Sequence, residues 1–259
     1  MSIKCYGITD IGSRRAENQD CFGIYTAAGS ATLCVVCDGM GGHAGGATAS
    51  GTARDVFVST VCDILELLVK NSDSEDALTT NSFRYALERG AMAANNAVRA
   101  AAGSEESLAG MGTTLVALLL CEGVGGCFVN VGDSRIYDIT SGSIRQLTRD
   151  HSYVQHLVDI GQMSAEEARV SPVRNVITRA VGIDDTVRPD LKSVDISLPS
   201  DGKRWFLLCS DGLSGCVGED ILHTVVRDSG TLEEKASGLV GLANAAGGPD
   251  NITVLLVEL

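Results

Sequence analysis

The sequence predicts an α+β fold, with two antiparallel β-sheets packed together and covered by helices. Three observations carry that reading. Short apolar runs rich in β-branched residues recur at both ends of the chain, two long stretches switch to a helical period, and the central runs are joined by brief Gly and Ser connections, as in an antiparallel meander. No internal repeat, low-complexity tract or long linker divides the 259 residues, so residues 1–259 are expected to form a single domain.

Taken in order, residues 4–9 and 21–27 read as strands joined by a polar loop, and 33–37 as a third strand. From about 46 to 70 the period changes: Ala53, Val56, Phe57, Val61, Ile64, Leu65 and Leu68 mark one helical face. After a polar break at 71–76, Phe83, Leu87, Ala91, Ala94 and Val98 mark a second helix over about 80–102. Strands are expected at 113–121, 126–131, 135–139 and 143–147. A short helix follows near 153–160, and a second one opens on the capping box Ser164-Ala165-Glu166-Glu167. Strands at about 187–196 and 204–209 precede helices near 219–227 and 232–246, the latter opened by Thr231-Leu232-Glu233-Glu234. A strand at 251–258 ends the chain.

Composition excludes several function classes. A formal charge of −13 is unsuited to nucleic acid, which needs a basic surface to displace counterions. No apolar run approaches the roughly 20 residues that span a bilayer, and no signal peptide opens the chain, so a cytoplasmic, monomeric protein without a membrane partner is expected. Nine cysteines is an odd number. Cys34 and Cys37 have C-x-x-C spacing, yet they stand mid-strand, where alternation sends the sulfurs to opposite faces, and no second pair completes a zinc set. Buried structural thiols in a reducing compartment follow.

The chemistry gathers where strands end. Leu33-Cys34-Val35-Val36-Cys37 stops at Asp38-Gly39, Val129-Asn130-Val131 at Gly132-Asp133, and Leu207-Leu208-Cys209 at Ser210-Asp211-Gly212, while Asp250-Asn251 opens the final run. In an antiparallel sheet one strand's end and its neighbour's start share a rim, so Asp38, Asp133, Asp211 and Asp250 are expected to converge. Carboxylates that share a rim need cations to stay ionised. An all-oxygen donor set without clustered His or Cys selects hard ions, Mg²⁺ or Mn²⁺. Paired ions about 3.5–4 Å apart are a device for phosphoryl hydrolysis. The first loop, between Asp10 and Asp20, adds Arg14 and Arg15, whose guanidinium groups suit a phosphate.

These stretches resemble the metal-dependent protein phosphatases, the PPM or type 2C family, with the bacterial serine/threonine phosphatases as the nearest branch. The resemblance rests on Thr9-Asp10-x-Gly12-x-x-Arg15-x-x-Asn18-Gln19-Asp20, Asp38-Gly39-Met40-Gly41-Gly42-His43, Gly110-Met111-Gly112-Thr113-Thr114, Val131-Gly132-Asp133-Ser134-Arg135, Ser210-Asp211-Gly212 and Asp250-Asn251, in family order over nearly the whole chain. Residues about 148–182 are similar to that branch's flap. The resemblance implies a β-sandwich flanked by helices on both sides (α-β-β-α), with the metal site at one end. It also implies that Asp38 bridges two ions, that the Gly39 carbonyl helps hold one, and that Asp211 and Asp250 bind the other. Asp20 acts through water, Asp133 joins a third ion, and Arg15 binds the substrate phosphate. The implied reaction is direct attack of metal-activated water on phosphoserine or phosphothreonine in proteins, opposing a serine/threonine kinase.

Three positions depart from the family pattern. Gln19 replaces a frequent Glu, Met40 stands where eukaryotic members often carry a candidate general acid, and Ser171 replaces a flap His. His43 is then the candidate to protonate the leaving group, with metal-held water or a purely structural His43 as alternatives. A competing reading is a catalytically inactive phosphoprotein-binding module of the same fold. Another is a two-metal nuclease, which the charge of −13 opposes.

Overall fold

The computed structural model describes residues 3–41, 45–72 and 78–259. Strand β3 (Ala31–Met40) shows why the fold needs cover on two sides. Alternation points Leu33, Val35 and Cys37 one way and Cys34 and Val36 the other, and all five are buried. A strand with two apolar faces must lie inside a layered structure.

One sheet has the order β2 (Asp20–Ala27), β3, β5 (Leu115–Cys121), β6 (Gly125–Val131) and β9 (Asp190–Val194), with β4 (Gly112–Thr113) paired to the end of β3. The other has the order β1 (Lys4–Asp10), β11 (Ile252–Glu258), β10 (Arg204–Cys209), β7 (Arg135–Thr140) and β8 (Ile144–Gln146). Every pairing is antiparallel. Cys34, Val36, Leu118, Phe128, Phe206, Leu208 and Leu255 fill the space between the sheets. On the outer face of the first sheet, Leu33, Val35 and Leu119 pack against Phe57, Leu65, Phe83 and Leu87 of α1 (Gly45–Lys70) and α2 (Thr80–Ser104). On the outer face of the second, Leu207, Val254 and Leu256 pack against Leu222, Leu239 and Ala243 of α6 (Glu219–Arg227) and α7 (Leu232–Ala245). This is the α+β sandwich with helices on both sides. Cys34 and Cys37 face opposite cores, and all nine cysteines are free. No helix among the described residues is long and apolar enough to cross a membrane.

Four local differences from the sequence expectation bear on function. The strand expected over 113–121 breaks at Thr114, which turns to grip Asp38: its N–H donates to the Asp38 carbonyl (2.8 Å) and its hydroxyl accepts the Asp38 N–H (2.9 Å). The central strands are not one meander, because the chain leaves the first sheet after β6 and enters the second at β7, crossing at Gly132-Asp133-Ser134. Asp211 opens a short helix, α5 (Asp211–Ser214), instead of a simple glycine turn. The strand expected over 187–196 is paired only at Asp190–Val194. The capping boxes at Ser164 and Thr231 form as expected, at the starts of α4 (Ala165–Val170) and α7. With α3 (Tyr153–Asp159), α4 lies in the segment 148–182, where the flap is expected.

Candidate metal centre

One end of the sandwich carries a cleft of about 750 Å³ whose wall includes Arg15, Asp38, Gly39, Met40, Asp133, Asp211 and Asp250, with Asn175 and Ile177 of the flap on its edge. Strand ends deliver these groups: β3 brings Asp38 and Gly39, the crossing after β6 brings Asp133, the segment after β10 brings Asp211, and the residues before β11 bring Asp250. Asp20 lies directly opposite Asp38 across the β2–β3 pair. Its side chain is buried beneath the cleft, where Oδ2 accepts from Ser210 Oγ and Thr253 Oγ1, both at 2.7 Å.

Burial and mutual repulsion dominate the electrostatics. Burial, then Asp20 and Asp211, hold the Asp38 carboxyl well above the ordinary 3.8. Burial pushes Asp20 up to about 6 against the pull of its Ser210 and Thr253 hydrogen bonds. Burial, helped by Asp250 and Asp20, brings Asp211 to about 6, and burial with Asp211 and Asp150 brings Asp133 to about 8. In the unfolded chain these groups titrate near 3.8, so between about pH 4 and pH 8 the folded, metal-free protein binds the extra protons. Their stabilisation is complete below about pH 4 and is lost as pH rises through 6 and 8. With a chelator present, the melting temperature is expected to fall from pH 5 to pH 8, less steeply in Asp133→Asn, and a divalent cation is expected to raise it more at pH 8 than at pH 5. Scanning fluorimetry checks this; equal slopes in both proteins would remove Asp133 from the effect.

The donor set fits a hard divalent cation. Asp20 Oδ1 and Asp211 Oδ1 are buried and have no hydrogen-bond donor, a costly state for a carboxylate unless a cation completes it. No three His, Cys, Asp or Glu side chains among the described residues stand close enough together to hold an ion between them. Open sets of this kind suit an ion that keeps several waters. His43 lies outside the described residues, and no histidine lines the cleft among those described.

The loop carrying Arg15 is fixed from a distance. Asn251 accepts the Gln19 N–H through Oδ1 (2.9 Å), and its Nδ2 donates to the carbonyls of Ile11 (2.9 Å) and Glu17 (3.0 Å). Asn18 accepts the Asp20 N–H and donates to Thr9 Oγ1. Arg15 itself is half-exposed and bonds Asp250 Oδ2 at 2.7 Å, so the guanidinium reaches over the cleft. The flap is tied to the Asp133 crossing by His151, whose N–H donates to the Gly132 carbonyl (2.9 Å) while its Nδ1 accepts the Gly132 N–H (3.0 Å). Nε2 of the same ring lies 2.9 Å from Arg179 Nη1 and 3.4 Å from Asp190 Oδ2. Ser171, in the place of the flap histidine, is a buried cap at the end of α4 and bonds the Val173 N–H.

All four rim aspartates therefore meet in one cleft with Arg15 and Gly39, and Asp20 supports them from below. Sequence reasoning gave no role to Thr114, Ser210, Thr253 or His151. Thr114 and Ser210 stand within motifs that carry the resemblance, and His151 within residues 148–182, so proximity to those stretches is the one signal available. Asn251 was quoted beside Asp250, but its part in holding the arginine loop was not foreseen.

The family model for protein phosphatase 2C matches residues 12–238. The chain belongs to the protein phosphatase 2C family. Serine/threonine phosphatase stp of Listeria monocytogenes is 37% identical over 250 residues, covering 96% of this chain and 93% of that one. Protein phosphatase PhpP of Streptococcus pneumoniae is 34% identical, covering 97% and 96%. Among solved structures, the serine/threonine phosphatase of S. agalactiae aligns with a TM-score of 0.86 at 32% identity, covering 99% of both chains. The catalytic domain of the serine/threonine protein phosphatase PstP, in complex with two manganese ions, aligns with a TM-score of 0.78 at 32% identity, covering 99% of this chain and 97% of that one. The protein is a phosphoprotein phosphatase of the bacterial serine/threonine branch and depends on divalent metal.

Proposed function

We propose that this 2C-family phosphatase works with two Mn²⁺ or Mg²⁺ ions in the cleft, with room for a third, and that residues 1–259 act as one domain with a flap at about 148–182. Asp38 would serve both ions, the Gly39 carbonyl would help hold one, Asp211 and Asp250 would hold the other, Asp20 would act through water, and Asp133 would serve the third. The observation that carries the proposal is the convergence of these carboxylates on one cleft with two buried oxygens lacking any donor. Bound there, the ions would supply Lewis-acid polarisation of the phosphoryl oxygens and a low-pKa water.

The chain's own residues do the rest. Arg15 places two or more N–H donors over the cleft mouth, geometry that suits a phosphate monoester dianion. Asp20, hydrogen-bonded at Oδ2 by Ser210 and Thr253, keeps Oδ1 without a donor. His43 is the side chain proposed to protonate the departing serine or threonine oxygen. The substrates would be phosphoserine and phosphothreonine proteins, including a serine/threonine kinase or its targets, met by a monomer in the cytoplasm. The reading of an inactive binding module has no support, since Arg15, Asp38, Asp211 and Asp250 are all present.

The test is hydrolysis of a phosphothreonine peptide, expected only with added Mn²⁺ or Mg²⁺ and abolished by a chelator. Arg15→Ala is expected to raise KM for that peptide roughly tenfold with a smaller loss in kcat, because the guanidinium grips a group present in ground and transition states alike. An unchanged KM would remove Arg15 from substrate binding.

A further inference from the structure

The opposite end of the second sheet holds another cleft, of about 380 Å³, walled by Lys203, Trp205, Arg227, Lys235, the Asp228-Ser229-Gly230 turn and Glu258. Its central feature is Lys235, one turn into α7. That side chain is only 6% exposed, and its ammonium lies 5.0 Å from the centroid of the Trp205 ring. Among the described residues it has neither a hydrogen-bond acceptor nor a carboxylate within ion-pair distance. The aliphatic stem is covered, and the ammonium opens to the cleft. Burial pulls its pKa below 10.5 with help from Lys203, while Glu258 and Asp228 oppose that pull.

Two carboxylates line the cleft as well, and both favour the charged form of Lys235. Glu258 is already held at both oxygens, by Lys4 Nζ (2.9 Å) and Trp205 Nε1 (3.1 Å). Asp228 accepts the Ser229 N–H, and Asp201 stands by Lys203, whose N–H it accepts. Neither Lys203 nor Arg227 forms an ion pair among the described residues. In a chain of formal charge −13, three cations thus share one concavity with two carboxylates, of which Glu258 is already paired with Lys4. Cation–π contact with one indole compensates an ammonium only in part.

We propose that this cleft is a second anion site, taking the dianion of a phosphate group. Arg227 would supply a planar fork of donors and the two lysines point charges, the combination that suits a phosphate oxygen set. The site is distinct from the metal centre. β10 starts at Arg204 beside this cleft and ends at Cys209 beside Asp211, a span of roughly 20 Å. Two sources share the chemistry: free phosphate and a phosphorylated side chain of a protein.

Trp205 is the chain's single tryptophan and forms the wall of the cleft, so its emission reports on this site alone. The experiment titrates the intact protein, with a chelator present and ionic strength held with chloride, using inorganic phosphate in one arm and a phosphoserine peptide against its unphosphorylated form in the other. A saturable emission change is expected with phosphate, the phosphopeptide or both, at least tenfold weaker in Lys235→Met and in Arg227→Gln and unaltered in Arg15→Ala. Phosphate alone would mark a site for the free ion; the phosphopeptide as well would mark one open to protein substrates. No response in either arm, or equal affinity in both cleft variants, would overturn the proposal. Lys235→Met keeps the aliphatic stem, and exposed Arg227→Gln guards against a folding defect in the first variant. Because no metal is present, failure here leaves the metal-centre reading untouched.

Discussion

Asp38→Asn is expected to lower kcat on a phosphothreonine peptide by at least about 1,000-fold, equivalent to about 4 kcal/mol of transition-state stabilisation. The same variant should leave the metal-free protein as stable as the parent, or more so. Both outcomes follow from one fact. The Asp38 carboxyl is buried against Asp20, Asp211, Asp133 and Asp250, all of which oppose its ionisation. Without cations that charge is a liability, and an isosteric amide removes it. With cations it is the group placed to join them. The variant should therefore lose most of the melting-temperature rise that Mn²⁺ gives the parent, while its metal-free melting temperature holds. Activity within tenfold of the parent, or a metal-free protein that no longer folds, would remove Asp38 from the bridging role.

Gly212→Ala is expected to destabilise the protein by about 3 kcal/mol or more, a loss of roughly 6–10 °C in Tm for a chain of this size. A Cβ on Gly212 would stand 1.9 Å from the Asn251 carbonyl oxygen and 2.9 Å from its carbon. Both are backbone atoms, so no rotamer change relieves the clash. Asn251 also holds the arginine loop through Ile11, Glu17 and Gln19. Pushing it aside should disturb Arg15 and Asp250 together, and the Mn²⁺ concentration for half-maximal activity should rise along with the fall in Tm. A melting temperature within 2 °C of the parent would show that the rim yields more easily than these distances allow. Gly39 is similarly constrained, since a Cβ there would meet the Gly46 oxygen at 2.1 Å. The Asp-Gly pairs read in the sequence as turn signals are thus required by close backbone approach as much as by turning. At Gly212 the turn proved to be the first residues of a short helix.

Much of the site was legible because its signals are local. A strand's apolar period and its end at Asp-Gly lie within a few consecutive residues, so Asp38, Asp133 and Asp211 could be placed on a rim from their own neighbourhoods, and Asp250 from the start of β11. Helices 45–70 and 80–104 were legible for the same reason, as was the split of Cys34 and Cys37 between two cores. The crossing at Gly132-Asp133-Ser134 was not legible. A short Gly and Ser connection looks alike whether the next strand pairs in the same sheet or joins the other one, and the choice depends on where β7 finds β10.

By itself, the sequence determined the strand and helix order, the hard-cation character of the donor set, and the residue types that reach the rim. Side-chain alternation, capping and turn chemistry act over a few residues, and the chain cannot avoid them. Tertiary structure alone decided how those groups are ranked. Asp38, Asp133, Asp211 and Asp250 open to the cleft, whereas Asp20 is buried beneath it by hydroxyls 190 and 233 residues away in the chain. Lys235, an ordinary helix residue by sequence, is buried against Trp205 without a counter-ion. Burial and the sharing of charge are properties of packing across elements, so they exist only once both sheets and both helical layers have closed.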